Sequence, residues 1–374
     1  MNYLFKKYLK TKGLHQYGKI FKNFDDKKFN YFIVIPCFNE FDFIDNTLFS
    51  ISKQNKALLD KTLLIIVINN SNNDSHLIFK NNLNTYNKLI NNQYNINLLL
   101  IDAFSDGFAI PDKNAGVGFA RKIGLDHSLK YYKDNSSILC LLDADTIVNE
   151  NYLEVINNFY KPDINAAVIN FKHQKSKNKI IEEGIRKYEN TIKNIANKIS
   201  KTGSPYGYVS MGSTITCNIR TYISVGGMNT KKATEDFYFL QAIAKYTKVH
   251  KIKDCLVHPS SRNENRVYLG TGFRINEYIK SKTFKNLNFS NSSYKSIQKI
   301  ISLTSNNWKT DSKEFFKLLK SKIDDDSYNF LINHNFMKRW ENFKKNTKSK
   351  QQFLLFFHQW FDALKIMKLL KKLG

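Results

Sequence analysis

Four short, almost wholly apolar runs, each stopped by a polar or acidic residue, constrain the fold more than anything else in this sequence. They are Tyr31–Pro36 (YFIVIP), Leu63–Ile68 (LLIIVI), Asn97–Asp102 (NLLLID) and Ser137–Leu142 (SILCLL). Runs of this length without polar alternation suit strands covered on both faces, as in a parallel sheet. Between them, Phe41, Ile44, Leu48 and Ile51 recur at helical spacing, and Val117, Ala120, Gly124, Ser128, Leu129 and Tyr132 form one helix face. A β-α unit repeated four times predicts an α/β domain with a mostly parallel central sheet and crossover helices. Asn39-Glu40, Asn69-Asn70, Asp102 and Asp143-Ala144-Asp145 follow the strand ends. They therefore fall on the carboxyl edge, where open α/β sheets bind ligands.

Beyond residue 150 the pattern continues with a helix through Tyr152, Leu153, Ile156 and Phe159, then a strand, Ala166–Phe171. A long amphipathic helix follows through Ile181, Ile185, Tyr188, Ile192, Ile195 and Ile199. After a Gly/Ser-rich stretch, Thr202–Ser213, come a strand (Thr214–Ile219), a short helix closed by Gly226-Gly227, a helix from near Glu235 and a strand reaching Val257. The chain is expected to divide into a basic N-terminal segment without clear period (1–30), two halves of one α/β domain (31–150 and 151–274) and a helical C-terminal region (275–374).

With 42% hydrophobic and 14% aromatic residues, the 374-residue chain can bury a real core, which excludes wholesale disorder. Its 58 Lys and Arg against 32 Asp and Glu leave a net charge of +26, which calls for an anionic partner: nucleic acid, a membrane surface or a phosphorylated substrate. No zinc-finger spacing, RRM signature or basic zipper occurs, so no nucleic acid is expected. Cys37, Cys140, Cys217 and Cys255 are scattered in or beside apolar runs and read as reduced thiols of a cytoplasmic protein. The N-terminal MNYLFKKYLKTKG lacks the apolar core and cleavage site of a signal peptide, and no apolar run reaches the roughly 18 residues of a spanning helix.

Four groups of residues suggest chemistry. Asp143 and Asp145 leave a buried strand in a turn, and such hard oxygen donors suit a divalent cation that also grips a diphosphate. The plainer reading is an acidic turn before a helix. Glu235 and Asp236 open an amphipathic helix, where they either complement its dipole or supply a general base to an attacking hydroxyl. Asn114, Gly116 and Gly118, leading to Arg121 and Lys122, could cradle phosphate, or could be small residues required by close helix contacts. Ser260-Ser261-Arg262, Arg266 and Gly270-Thr271-Gly272 combine cations with a Gly-bearing loop, suited to an anionic group or to simple turn chemistry.

Taken in order over about Tyr31–Gly272, these pieces resemble the family 2 glycosyltransferases of the GT-A fold. The family's opening strand and loop look like IVIPCFNE, and its V-D-D-G-S-x-D corresponds to Val67–Asp74 (VINNSNND). Its N-x-G-x-x-x-A-R corresponds to Asn114–Arg121, its D-x-D to Asp143–Asp145, and its G-G…E-D to Gly226-Gly227 and Glu235-Asp236. The resemblance implies an inverting, Mg²⁺- or Mn²⁺-dependent transfer from a nucleotide-diphosphate sugar to a hydroxyl of a cell-envelope glycan or lipid. Pro36, Asn39 and Glu40 would line the nucleoside pocket, with Asn114, Gly116, Arg121, Arg262 and Arg266 also on the donor. Asp145 would ligate the metal, with Asp143 near the metal or ribose, and Asp236, with Glu235, would serve catalysis. A UDP-linked donor is the expectation. Asn70, however, stands where the family carries an aspartate, and its amide could serve uracil or another base. His258 is a candidate third metal ligand, against an ordinary strand-end histidine. A catalytically inactive binding module and a nucleotidyltransferase are the alternatives within this architecture.

The tail carries Phe353, Phe356, Phe357, Trp360, Phe361 and Leu364 on one broad face, with Lys365, Lys368, Lys371 and Lys372 at its end. It reads either as a helix lying on an anionic membrane surface or as one packed on the protein with its lysines at the helix C-terminus.

Overall fold

A computed structural model describes residues 2–25, 27–91, 94–264 and 270–374. The chain forms two compact units, Met1–Ile185 with Ser210–Asn276, and Arg186–Val209 with Glu277–Gly374.

The first unit is built on a nine-stranded sheet among the described residues. Its strands are β1 (Lys19–Ile20), β2 (Tyr31–Cys37), β3 (Thr62–Asn69), β4 (Leu98–Ala103), β5 (Ile138–Leu141), β6 (Ile147–Val148), β7 (Ala166–Phe171), β8 (Ile215–Asn218) and β9 (His250–His258). Their order is β1-β4-β3-β2-β5-β8-β7-β9-β6. The four apolar runs are β2 to β5, and they form the expected parallel core. Every residue of these four strands is buried, which is why their sequences carry no polar alternation. Beyond β5 the sheet becomes mixed. β8 runs antiparallel to both β5 and β7, β6 runs antiparallel to β9, and β7 pairs with β9 in parallel. Pro36 is tolerated inside this sheet because β5 stops pairing at Val34–Leu141, so the missing N–H falls beyond the ladder on that side.

Helices α1 (Asn2–Lys12), α2 (Ile44–Ser52), α3 (Lys56–Leu59), α4 (His76–Ile90), α5 (Val117–Ser128), α6 (Tyr152–Phe159), α8 (Ile219–Ser224) and α9 (Glu235–Tyr246) complete this unit, while α7 (Lys179–Lys201) and α10 (Thr271–Ser281) each divide between the two units, α7 mostly in the second. Residues 1–30, read from sequence as lacking a period, contain α1 and β1, and β1 adds to the sheet edge antiparallel to β4. Tyr8 anchors α1. Its hydroxyl donates to buried Asp126 on α5 and contacts the Tyr222 hydroxyl on α8.

In the second unit, α11 (Asn291–Asn306), α12 (Ser312–Lys322), α13 (Asp325–Asn333), α14 (Phe336–Asn346), α15 (Lys350–Trp360) and α16 (Ala363–Lys372) bury an aromatic core. Phe336 stacks on Trp360 at 4.5 Å, and Phe315 on Trp340 at 3.6 Å. Much of the tail's apolar face is buried here, with Phe353, Phe357 and Phe361 fully enclosed and Trp360 nearly so. The tail is not one helix but two, α15 and α16, broken at Phe361-Asp362, with Phe356 and Leu364 of its apolar face only half-buried. No helix among the described residues is long and apolar enough to cross a membrane. This unit carries 25 Lys and Arg against 9 Asp and Glu, so the chain's positive charge is densest in this unit.

Candidate active site

The sequence-predicted carboxylates meet around two arginines. Asp143 and Asp145 follow β5, and the turn that carries them is held from three sides. Thr146 N–H donates to Asp143 O (3.1 Å), Thr47 Oγ1 to Ala144 O (2.8 Å), and Gln174 Nε2 to Asp145 O (2.8 Å). Thr47 and Gln174 gave no signal in the sequence, since a lone polar residue on a helix or past a strand end has no distinguishing pattern.

Arg121 points inward from α5, with one terminal nitrogen bonded to Asp143 and the other to Glu235. It is 3% exposed. Burial opposes its charge, yet Asp143, Glu235 and Asp236 more than offset this, and the guanidinium pKa is raised. The expected phosphate contact by Arg121 therefore meets a guanidinium already spent on two carboxylates. Glu235 is likewise enclosed, at 4% exposure. Burial pushes its pKa up to about 7 against the pull of Arg121, and the neighbouring charge of Asp236 adds to the rise. Asp236 stays partly open to solvent, and its Oδ1 accepts the Phe237 N–H at 2.7 Å. Its pKa is also raised, chiefly by desolvation. The two adjacent acids are thus separated: Glu235 is an internal tie to Arg121, and Asp236 is half-buried and outside that ion pair. Thr234, which caps their helix, sits at φ 63°, a left-handed conformation uncommon for a β-branched residue.

The second arginine, Arg262, follows β9. Its Nη2 lies 2.7 Å from Asp145 Oδ2 and 2.6 Å from Glu40 Oε1, and its guanidinium lies 4.2 Å from the centre of the Phe43 ring. Glu40, expected in a nucleoside pocket, is buried and held in this ion pair. Pro36 is buried within β2, whereas Asn39 is exposed just past its end at φ 57°, a region asparagine tolerates. Arg266 lies outside the described residues.

Three expectations change. Asn70 is 5% exposed; its amide nitrogen donates to Ser71 O and Phe104 O, and its oxygen accepts from Asn82. Both ends of the amide are occupied by the fold, so base contact at this position is not supported. Gly116 and Gly118 serve close backbone approach. A Cβ on Gly118 would collide with Lys231 O, and one on Gly116 would lie 2.7 Å from Lys232 Cα. Half-buried Asn114 stands in the turn before them, its N–H donating to Pro111 O. Finally, both ring nitrogens of His258 are engaged, with Lys172 O at 2.9 Å and Asn149 Oδ1 at 2.8 Å, which removes it as a third metal ligand.

No cluster of three or more Asp, Glu, His or Cys side chains suited to a metal occurs among the described residues. Asp143 and Asp145 offer hard oxygen donors, each paired here with an arginine, and a divalent cation at this turn would have to draw its remaining ligands from phosphate. Next to the Gln174 clamp, an open cavity of about 740 Å³ is lined by Lys175, Ser176, Lys177, Lys179, Glu182 and Glu183.

The family model for glycosyl transferase family 2 matches residues 32–219. No curated protein matches the chain. Among solved structures, the chain is similar to residues 1–349 of S. aureus TarS in complex with UDP-GlcNAc, at 13% identity over 82% of this chain and 80% of that one, with TM-score 0.43. It is also similar to the mannosyltransferase PcManGT from Pyrobaculum calidifontis in complex with GDP-Man and Mn²⁺ (12% identity, 95% and 92% covered, TM-score 0.44). A third is glucosyl-3-phosphoglycerate synthase from Mycobacterium tuberculosis in complex with Mn²⁺, UDP and glucosyl-3-phosphoglycerate (13% identity, 68% and 78% covered, TM-score 0.40).

Proposed function

The chain belongs to glycosyl transferase family 2, and from that premise we propose that it moves a sugar from a nucleoside-diphosphate sugar to a hydroxyl acceptor with inversion at the anomeric carbon. One observation carries this reading: Arg121 ties the helix bearing Asp236 to the turn bearing Asp143 and Asp145, so the candidate base and the candidate diphosphate site are held in one rigid frame. In the reaction, the acceptor oxygen bonds to the anomeric carbon as the bond from that carbon to the diphosphate oxygen breaks. The acceptor proton passes to the Asp236 carboxylate, whose raised pKa makes it a better base than an ordinary aspartate.

Asp145 and Asp143 would hold a Mg²⁺ or Mn²⁺ ion, which supplies positive charge against the departing diphosphate. The open cavity beside Gln174 is lined by Glu182 and Glu183 as well as Lys175, Lys177 and Lys179, so it does not single out a phosphate, and the acceptor is proposed as a hydroxyl of a glycan or lipid. Asn70 gives no ground for choosing uracil, so the donor is proposed as a nucleoside-diphosphate sugar without a fixed base. Thermal-shift screening of nucleoside diphosphates and their sugars with Mn²⁺ identifies the donor, and turnover of that donor by Asp236→Asn then tests the mechanism. Loss of transfer with donor binding intact is the expected result. Undiminished turnover would remove Asp236 from the role of base.

A further inference from the structure

Each aspartate of the D-x-D turn has its own guanidinium, but the two are held differently. Arg121 stands on a buried helix and is fixed to Asp143 and Glu235. Arg262 lies in the irregular segment after β9, with its side chain 13% exposed. A single nitrogen of Arg262 serves both Asp145 (2.7 Å) and Glu40 (2.6 Å), while its other terminal nitrogen lies 3.5 Å from the half-exposed Glu264. Two enclosed carboxylates thus face one another across that nitrogen. Without a cation between them they would repel.

Resting on the reading that Asp145 helps hold a divalent cation, we propose that Arg262 is a tethered stand-in for that cation, which yields Asp145 only when a diphosphate offers its guanidinium another partner. The physical reason is competition. An ion arriving alone must displace a cation that is covalently attached and therefore always present at high effective concentration. A diphosphate changes the balance, because a guanidinium accepts phosphate in the same forked geometry as carboxylate. Arg262 can then exchange one anionic partner for another, and Asp145 is released to the metal as the metal's phosphate ligands arrive. Metal and nucleotide therefore bind together, and an empty site does not take up metal alone. The ring of Phe43, 4.2 Å from the guanidinium carbon, keeps the arginine at the site during the exchange.

The test is direct titration of the full chain with Mn²⁺, following the free ion by electron paramagnetic resonance, with and without UDP or GDP. For the wild type, weak Mn²⁺ binding alone and tight binding with one nucleotide are expected. Arg262→Gln should bind Mn²⁺ without nucleotide about tenfold or more tighter than the wild type. Arg262→Lys, which keeps the charge but loses the fork, should fall between them, and it carries the test if Arg262→Gln does not fold. Unchanged nucleotide-free Mn²⁺ affinity in the folded variants would overturn the proposal, provided that Asp145→Asn abolishes nucleotide-supported binding. If Asp145→Asn retains that binding, the metal reading of Asp145 itself fails, and the stand-in role fails with it.

Discussion

The hydroxyl of Tyr8 donates a 2.6 Å hydrogen bond to Oδ1 of Asp126, 118 residues further along the chain. Asp126 is fully buried and also accepts from the Tyr222 hydroxyl (2.7 Å) and the Leu14 N–H (2.7 Å), and it pairs with Lys122 at 2.9 Å. Through Tyr8 the N-terminal helix reaches the Gly226-Gly227 turn, where a Cβ on Gly227 would collide with the Tyr8 hydroxyl. The Gly226-Gly227 turn is thereby packed against α1. Asp126→Ala should cost about 3–5 kcal/mol, because it strands the Lys122 ammonium in the interior. Tyr8→Phe removes one donor to a charged acceptor and should cost about 1.5–3 kcal/mol. Urea denaturation of the two variants checks both the order and the size.

Arg121 supports a second expectation. A lysine ammonium cannot span Asp143 and Glu235 in the way that two guanidinium nitrogens do. Arg121→Lys should therefore loosen the D-x-D turn from α9, lowering kcat by about tenfold or more and raising the donor KM as well, since Asp143 belongs to the proposed diphosphate site. Arg121→Ala leaves the buried Glu235 without its partner and should cost about 3–5 kcal/mol of stability. Steady-state kinetics of the lysine variant beside melting of the alanine variant separate the two effects.

What the sequence disclosed and what it hid follow from the range of the interactions involved. β2 to β5 were legible because a strand buried on both faces must be apolar throughout, and its ends show as abrupt polar stops. The D-x-D turn was visible for the same reason. The partners of Arg121 escape a sequence reading because a guanidinium looks the same there whether it meets a phosphate or carboxylates 22 and 114 residues away. The bracing role of Tyr8 was hidden because a lone tyrosine on a short basic helix does not disclose partners 118 and 214 residues away. The tail was ambiguous because an aromatic face at helical spacing satisfies a lipid surface and a protein core equally, and Phe336, which packs on two of its rings, lies outside it in the chain.

That aromatic core gives a third expectation. Phe357 is fully buried, with Phe336 at 5.7 Å and Phe361 at 5.5 Å between ring centres. Phe357→Ala should destabilise the helical unit by about 3–5 kcal/mol through lost burial and the cavity left behind. Calorimetry reads this as a lowered transition. Phe357→Leu, which refills most of the space, should recover the larger part.

Asn70 offers a fourth. Its amide nitrogen faces two backbone carbonyls, Ser71 O at 2.8 Å and Phe104 O at 3.3 Å. An aspartate at this position would restore the family's residue but would aim a carboxylate oxygen at those carbonyls. Asn70→Asp should lose about 1–3 kcal/mol and gain no preference for UDP over GDP, because the burden falls on a buried acceptor facing acceptors. Thermal melting with a UDP and GDP titration checks both parts.

The last expectation concerns pH and Glu235. Its folded pKa of about 7 stands above the ordinary glutamate value of 4.5, because desolvation outweighs the attraction of Arg121. Between those two values the folded chain holds a proton at Glu235 that the unfolded chain has already released. The unfolded state therefore binds fewer protons, and this group's contribution to stability falls as pH rises from about 4.5 to 7, then levels off. His127 and His358, whose burial lowers their pKa values to about 4, act in the opposite direction over an overlapping range. The wild-type profile alone would mix these effects. The difference between the wild type and Glu235→Gln isolates the one in question, since the histidines are common to both. The gap between the two stabilities should move by about 3 kcal/mol against the wild type between pH 4.5 and 7.5, because each tenfold difference in proton affinity is worth about 1.4 kcal/mol. Urea denaturation at half-unit steps across that range measures it. A gap that stays constant with pH would show that Glu235 is ionised throughout and that Arg121 outweighs its burial.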